Sequence, residues 1–467
     1  MYPRRRRVRR TRLGAPAFVA ALLCLLTSCT SGGPPAATPS PSPSPSASAG
    51  PVTLRFAVYG GVPDVMAYRA MARVYTRSRP DVTVKVEAMP DEVTADAKLD
   101  REFAAGRAPD VFLTGSTALP SLVSQNRVQP VDVLLEKRGV EFGDNYERLG
   151  LEAFAADDAL QCMPSDVSPY VVFYNKRLFA GVTLAEPGQE PPTPQTGWAW
   201  DQFVRAAQQM SHRGVKGVYL APDLTTLTPL LRSAGTDIVD DPQKPTTLQL
   251  ADGPTRSALE QVLTVARSQR LTPTPQQLAK QDAVSRFESG RLGMLIGTRA
   301  LVPELRAHPG LRFDVLPLPN LGRSRTIAEV SGYCISHDSR HIDDAADFLA
   351  FASGRRAATL TARSGGIVPA NLDALHAASF VHPAQPPLAS EVFVNVMRRA
   401  DTMPNPPAWP RVVSATQPLL NRLFYAPVLD LDTLLPRIDA VSAGLLEQPT
   451  PSASPSASAS ASGSASP

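Results

Sequence analysis

Cys29 stands directly behind Leu26-Thr27-Ser28, and its thiol is the side chain of this sequence with the most specific chemistry written around it. Small residues before such a cysteine mark it for acylation and for cleavage on its amino side, so that it becomes a lipid-bearing N-terminus. The other thiols are Cys24, which leaves with the leader, and Cys162 and Cys334. In an oxidising compartment that last pair forms one disulfide or persists as two buried thiols, and spacing alone does not choose. Catalytic patterns are missing: there is no Gly-x-Ser-x-Gly elbow, no Gly-x4-Gly-Lys-Ser/Thr phosphate loop and no His-Glu-x-x-His zinc helix. His337 and His341 lie four apart, but Asp338-Ser339-Arg340 between them reads as a loop entering a helix, so no metal site is expected. Scattered carboxylates single out no pair for glycoside hydrolysis. The expectation is a binding protein without cofactor rather than an enzyme.

The segment ahead of Cys29 has the build of a lipoprotein leader. Arg4 to Arg7, Arg9, Arg10 and Arg12 form a basic start, and Ala15 to Leu26 form an apolar run broken at Pro16. About 12 residues at ~1.5 Å each reach roughly 18 Å, short of the ~30 Å needed to span a bilayer. Arg9-Arg10-Thr11-Arg12-Leu13 is a poor twin-arginine signal, which favours the general secretory route. Residues 1–28 hold seven arginines and no acid, so cleavage leaves 40 basic against 43 acidic residues and turns the net charge from +4 to −3. No basic block survives in the body, where Arg205, Arg267 and Arg312 are spread along regular patterns, so nucleic acid is excluded as a partner. Residues 29–51 and 449–467 are nearly all Ser, Pro, Ala, Gly and Thr. Neither has the apolar side chains to offset the entropy of ordering, and they are expected to be a tether and a disordered tail.

Elements to position any site must come from the remaining 400 or so residues, more than one core usually holds, so two lobes are expected. Val52-Thr-Leu-Arg-Phe-Ala-Val-Tyr59 reads as a strand ended by Gly60-Gly61. Val65, Tyr68, Ala72 and Tyr75 follow at helical spacing, then the alternating Val82 to Val86, then the apolar Val111-Phe112-Leu113 closing on Thr114-Gly115-Ser116. Strand, helix, strand, helix, strand implies a parallel sheet with right-handed crossovers. Ligands of such sheets sit beyond the carboxyl ends of the strands, which places Tyr59 to Gly61 and Thr114 to Thr117 on one rim.

Several segments, in order, carry a resemblance. Ala108-Pro109-Asp110-Val111, Val128 to Asp132 and Val172-Phe-Tyr-Asn-Lys176-Arg-Leu-Phe179 resemble family 1 extracellular solute-binding proteins of ABC importers. Gly197-Trp198-Ala199-Trp200-Asp201-Gln202-Phe203 is similar to that family's tryptophan-opened helix, and Phe287 to Gly297 to its strand entry. Asp344 to Phe351 and Gly365-Gly-Ile-Val-Pro369 are similar to its late helix and following turn. The resemblance covers the whole folded body. It implies an α/β, two-lobe, periplasmic-binding-protein-like type II fold with hinge strands between lobes. One lobe would be 52–161 with 335–389, the other 162–334 with 390–448. Cys162 and Cys334 would then fall on adjacent crossover strands, which favours a disulfide stapling the hinge.

Function in that family is capture by lobe closure, with a membrane permease receiving the ligand. The resemblance thus implies a monomer held by its lipid on the outer face of the bacterial cell membrane. The implied pocket wall is Tyr59, Gly60 and Gly61; Thr114 and Ser116; Asp166, Ser168 and Tyr170; Thr225 and Thr226; Arg299; Gly332 and Tyr333; and Trp409. A carbohydrate suits these types: Asp166 accepts hydroxyls, Arg299 donates, and Trp409 or Tyr170 offers an aromatic platform. Each has a plainer reading beside it. Asp166 lies in a turn-like Pro-Ser-Asp stretch, and Trp198 and Trp200 open a helix as core residues; Trp409, flanked by Pro406, Pro407 and Pro410, reads instead as a fixed loop at a rim, which favours a binding role. Arg299 and Thr114 replace aromatics seen in carbohydrate-binding relatives, which points to a small sugar, a polyol or an acidic or phosphorylated sugar. The alternatives are a ligand sensor or scaffold of the same fold, and a secreted glycoside hydrolase.

Overall fold

The computed structural model describes residues 50–184 and 197–447. The leader 1–28, the acylation position Cys29, the tether as far as residue 49 and the tail 449–467 lie outside the described residues.

Alternation in β1 (Val52–Tyr59) sends Leu54, Phe56 and Val58, all fully buried, to one face and Ala57 to the other. β2 (Val82–Met89) and β3 (Val111–Gly115) flank it in parallel, with Phe56 opposite Val86 on one side and Val111 on the other. Parallel neighbours need crossovers, here α1 (Val62–Ser78) and α2 (Glu92–Ala104). α1 opens with Pro63 in its first turn, where a missing N–H costs no helix bond, and it buries Val65, Tyr68, Ala72 and Tyr75 along one stripe. Asp91 caps α2 by accepting from the Thr94 N–H at 2.7 Å.

The chain continues through β4 (Val128–Gln129), the hairpin of β5 (Ala155–Ala156) and β6 (Ala159–Leu160), β7 (Met163–Pro169) and β8 (Val171–Asn175). Then come β9 (Lys216–Tyr219), β10 (Leu292–Gly297), β11 (Phe313–Leu316), β12 (Thr326–Ser336) and β13 (Ala400–Asp401). One sheet has the order β13-β12-β3-β1-β2, with β4 and β7 also on β12; the other has the order β11-β8-β10-β9. The chain passes between the sheets at β7 to β8 and again at β11 to β12, giving two α/β lobes joined by crossing strands. β7 and β12 run antiparallel from Ala328 opposite Pro169 to Tyr333 opposite Met163, with a register shift at Ser331 and Gly332. Cys162, just before β7, is disulfide-bonded to Cys334 on β12, their Cα atoms 4.4 Å apart. The staple implied by the resemblance is therefore present, on the strands that join the lobes.

Each sheet has its own core. Beside the first, Phe56 makes edge-to-face contacts with Tyr68, Tyr333 and Phe348 at centroid distances of 6.1, 5.6 and 5.2 Å. Beside the second, Trp198 is buried with its Nε1 donating to the Pro317 carbonyl at 2.8 Å, and the C-terminal helices Trp409–Tyr425 and Leu431–Leu446 close the same cluster. A third cluster holds Phe112 and Val330 of the first sheet together with Phe173 and Phe313 of the second. No helix among the described residues is long and apolar enough to cross a membrane.

Candidate functional site

A cleft of about 1070 Å3 opens where the carboxyl ends of β1 to β3 face the crossing strands and the second lobe. Tyr59 ends β1, and its hydroxyl shares a hydrogen bond of 3.0 Å with Ser331 Oγ on β12. Glu92, the first residue of α2, lies against Gly115 at the end of β3; a Cβ there would sit 2.0 Å from Glu92 Oε1, so only glycine lets the carboxyl reach the cleft. Ser116 and Thr117 continue that rim.

The floor comes from the crossing strands. Asp166 and Ser168 lie on β7; Asp166 Oδ1 accepts from the Val368 N–H at 2.6 Å and from Ser168 Oγ at 3.2 Å. Glu329, on β12, accepts from the Tyr170 hydroxyl and, at 3.3 Å, from Thr298 Oγ1. Burial pushes all three acids up. Glu92 rises to about 7, with Asp96 and Glu329 adding repulsion, and Asp166 rises to about 8 despite its two hydrogen bonds. Glu329 rises as well, held back by Tyr170 and Thr298.

Guanidinium groups form the opposite wall. Arg232, at the end of helix Leu224–Ser233, pairs with Asp237 at 2.7 Å and donates to the Thr402 carbonyl at 3.1 Å. Arg323 and Arg325 lie beside it, Arg325 at 3.8 Å from Asp401. The 401–406 loop completes this wall, and Asn405 reaches across to donate to the Ser116 carbonyl at 2.8 Å. The cleft thus has carboxyls that form no ion pair among the described residues on one side and, on the other, guanidinium groups interleaved with Asp237 and Asp401, with Tyr59 as its aromatic. Among the described residues no group of three His, Cys, Asp or Glu side chains is arranged to hold a metal ion.

Of the wall expected from the sequence, Tyr59, Ser116, Asp166 and Ser168 line this cleft. Asp166 does so from a strand rather than a turn. Tyr170 stands behind the lining, holding Glu329. The others lie elsewhere for identifiable reasons. Gly60 and Gly61 precede α1 and pack against Asp64; Gly60 has φ +136°, which suits glycine. Thr114 is fully buried. Thr225 and Thr226 lie in the first turn of their helix, with the Thr226 N–H bonded to the cap Asp223 at 2.7 Å. Gly332 is a packing residue, since a Cβ would meet the Phe154 ring at 2.6 Å, and Tyr333 is core. Trp409 is no rim platform: it opens a helix and buries its ring in the second-lobe core. Arg299 turns away from the cleft while its neighbours Thr298 and Ala300 face it.

Glu92, Arg232, Arg323, Arg325, Glu329 and Asp401 escaped the sequence reading. Glu92 was reachable, because it follows the carboxyl end of β2 as Tyr59 ends β1. Arg232 comes from the end of its helix and Arg323 and Arg325 from the loop before β12, and segments so far apart in the chain leave no local pattern. Replacing Arg232 by alanine strands Asp237 and releases Thr402, so a loss of about 2 kcal/mol is expected. That is about 2 °C in melting temperature, with faster amide exchange across 402–406; unchanged exchange there would show that Arg232 does not hold the loop.

Residues 70–386 match the family model described as bacterial extracellular solute-binding protein. No curated protein matches the sequence. Among solved structures, an ABC substrate-binding protein of Listeria monocytogenes in complex with cycloalternan aligns with TM-score 0.73 and 19% identity, covering 84% of this chain and 98% of its own. The sugar-binding protein MalE of Xanthomonas citri aligns with TM-score 0.71 and 18% identity, covering 84% and 97%. The GacH receptor of Streptomyces glaucescens, known unliganded and with acarbose, aligns with TM-score 0.69 and 18% identity, covering 85% and 98%.

Proposed function

Because the chain belongs to the bacterial extracellular solute-binding protein family, we propose that it captures a carbohydrate in this cleft by lobe closure and delivers it to an ABC importer permease. The single observation that carries the ligand class is the division of the cleft into carboxyl acceptors, Glu92, Asp166 and Glu329, and guanidinium donors, Arg232, Arg323 and Arg325. A polyhydroxylated ring fills both demands at once, since each hydroxyl donates and accepts. The volume of about 1070 Å3 suits more than one ring. This shifts the preference from a small sugar, a polyol or an acidic or phosphorylated sugar, which leaned on Arg299, toward a neutral or weakly charged oligosaccharide. Solved neighbours bound to cycloalternan and acarbose support the same class.

Closure follows from ligand contacting both lobes, because a state that makes both sets of contacts binds better and is populated accordingly. Acylation at Cys29 would keep the domain close to its permease. The test is a melting screen of the protein against mono-, di- and trisaccharides, polyols and amino acids. A saturable rise with one saccharide class, lost in Glu329→Gln, is the expected result. A panel flat for every saccharide would remove the carbohydrate reading, and a rise confined to amino acids would replace it.

A further inference from the structure

The turn that carries Arg299 serves two cavities. Thr298 and Ala300 line the cleft, while Arg299 lines a separate hollow of about 200 Å3 together with Arg306 and Arg363. Arg306 belongs to the short helix Val302–Ala307, and Arg363 follows helix Arg355–Ala362. No Asp or Glu lines this hollow. Among the described residues, no ion pair involves any of the three arginines.

Arg299 is only 2% exposed. Its guanidinium lies over the rings of Phe380 and Phe393, at 4.4 and 5.1 Å from their centroids, and Nη1 donates to Ser390 Oγ at 3.0 Å. Its Nε is buried without a hydrogen-bond partner. Arg306 donates from Nε to the Pro386 carbonyl at 2.6 Å, and its terminal nitrogens make no hydrogen bond among the described residues. Burial and the neighbouring Arg306 charge both push the Arg299 guanidinium below its ordinary range, against a smaller opposing pull from the Asp166 carboxyl on the cleft side. Ring faces offset part of the cost of burying a cation, but they do not supply a countercharge. Three arginines lining a small hollow without a carboxylate, Arg299 buried, Arg306 half-buried and Arg363 exposed, match the charge and the lone pairs of a compact dianion.

We propose that this hollow binds a small tetrahedral oxyanion of the phosphate or sulfate class, held by Arg299, Arg306 and Arg363. The site is distinct from the cleft and independent of the carbohydrate reading. Its mechanical link to the cleft is short: an anion that fixes Arg299 also fixes the turn presenting Thr298, the donor to Glu329.

The test is thermal melting of the purified full-length chain with sodium phosphate, sodium sulfate, sodium acetate or sodium chloride at matched ionic strength. At tenfold excess over its dissociation constant, phosphate is expected to raise the melting temperature by about 2 °C. Sulfate should act alike and acetate less than half as strongly. Arg306→Gln, at a half-buried position, should abolish the response while the protein still melts cooperatively. Arg299→Met keeps the volume between the rings; it should abolish the response and raise the anion-free melting temperature by removing an unpaired buried charge. If Arg299→Met fails to fold, Arg306→Gln decides alone. Chloride matching phosphate, acetate matching phosphate, or a full phosphate response in Arg306→Gln would each overturn the assignment.

Discussion

Replacing Cys162 and Cys334 together by alanine should lower the unfolding free energy by about 4 kcal/mol, near the top of the range for natural disulfides. The bond spans 172 residues, so it removes a large loop-closure entropy from the unfolded chain. Spread over a body of this size, the loss amounts to about 5 °C in melting temperature. Ligand affinity should move little, because β7 and β12 remain paired through Glu329 opposite Ser168 and Val330 opposite Val167 without the staple. The bond strengthens the hinge by restricting the unfolded chain and by tying the crossing strands at one point; it leaves rotation about those strands free. Melting with and without reductant after unfolding and alkylation measures this directly. Coincident melting curves would show that the bond contributes nothing to stability.

That staple also shows what the sequence makes legible. The first sheet follows from local alternation: β1 ends at Tyr59 as the Gly60-Gly61 break suggests, and β3 runs two residues past Val111-Phe112-Leu113 to end at Gly115, within the Thr114-Gly115-Ser116 stretch. Parallel order then fixes the rim by a general rule of such sheets, and Tyr59 and Ser116 fall on the cleft as a result. Arg299 and Trp409 defeat the same reasoning. In a 3-10 turn, a shift of one residue carries a side chain from the cleft to a separate hollow, and the motif places the turn only to within a residue or two. At Trp409, prolines signal a stiff segment, but they signal a helix start equally well, and the ring is drawn into the core by helix packing. Arg232 and Arg325 come within 3.9 and 3.8 Å of Asp401 from segments distant in the chain, a relation that periodicity cannot express.

Lowering the pH from 8 to 5 should stabilise the protein by about 3 kcal/mol, after discounting for the solvent that reaches the cleft. Burial raises Glu92 to about 7, Asp166 to about 8 and Asp96 to about 6 in the folded protein. In the unfolded chain these acids ionise near 4. Between those values the folded state binds more protons than the unfolded state, so stability falls as pH rises; the full penalty is reached above pH 8. Glu87 has the opposite sign. Hydrogen-bonded by Arg55 and Lys98, it is held at about 2, and its contribution is present above pH 4.5 and lost as the pH falls toward 2. The two sets bracket a maximum near pH 4, where Glu87 is ionised in the folded protein and the buried acids are still protonated there. Melting temperatures measured from pH 2.5 to 8.5 should therefore drop by about 4 °C between pH 5 and pH 8. Glu92→Gln combined with Asp166→Asn should remove more than half of the basic slope and leave the acidic limb in place. A melting temperature that is flat or rising from pH 5 to pH 8 would mean that the cleft acids are hydrated in the folded protein and that their burial does not govern its stability.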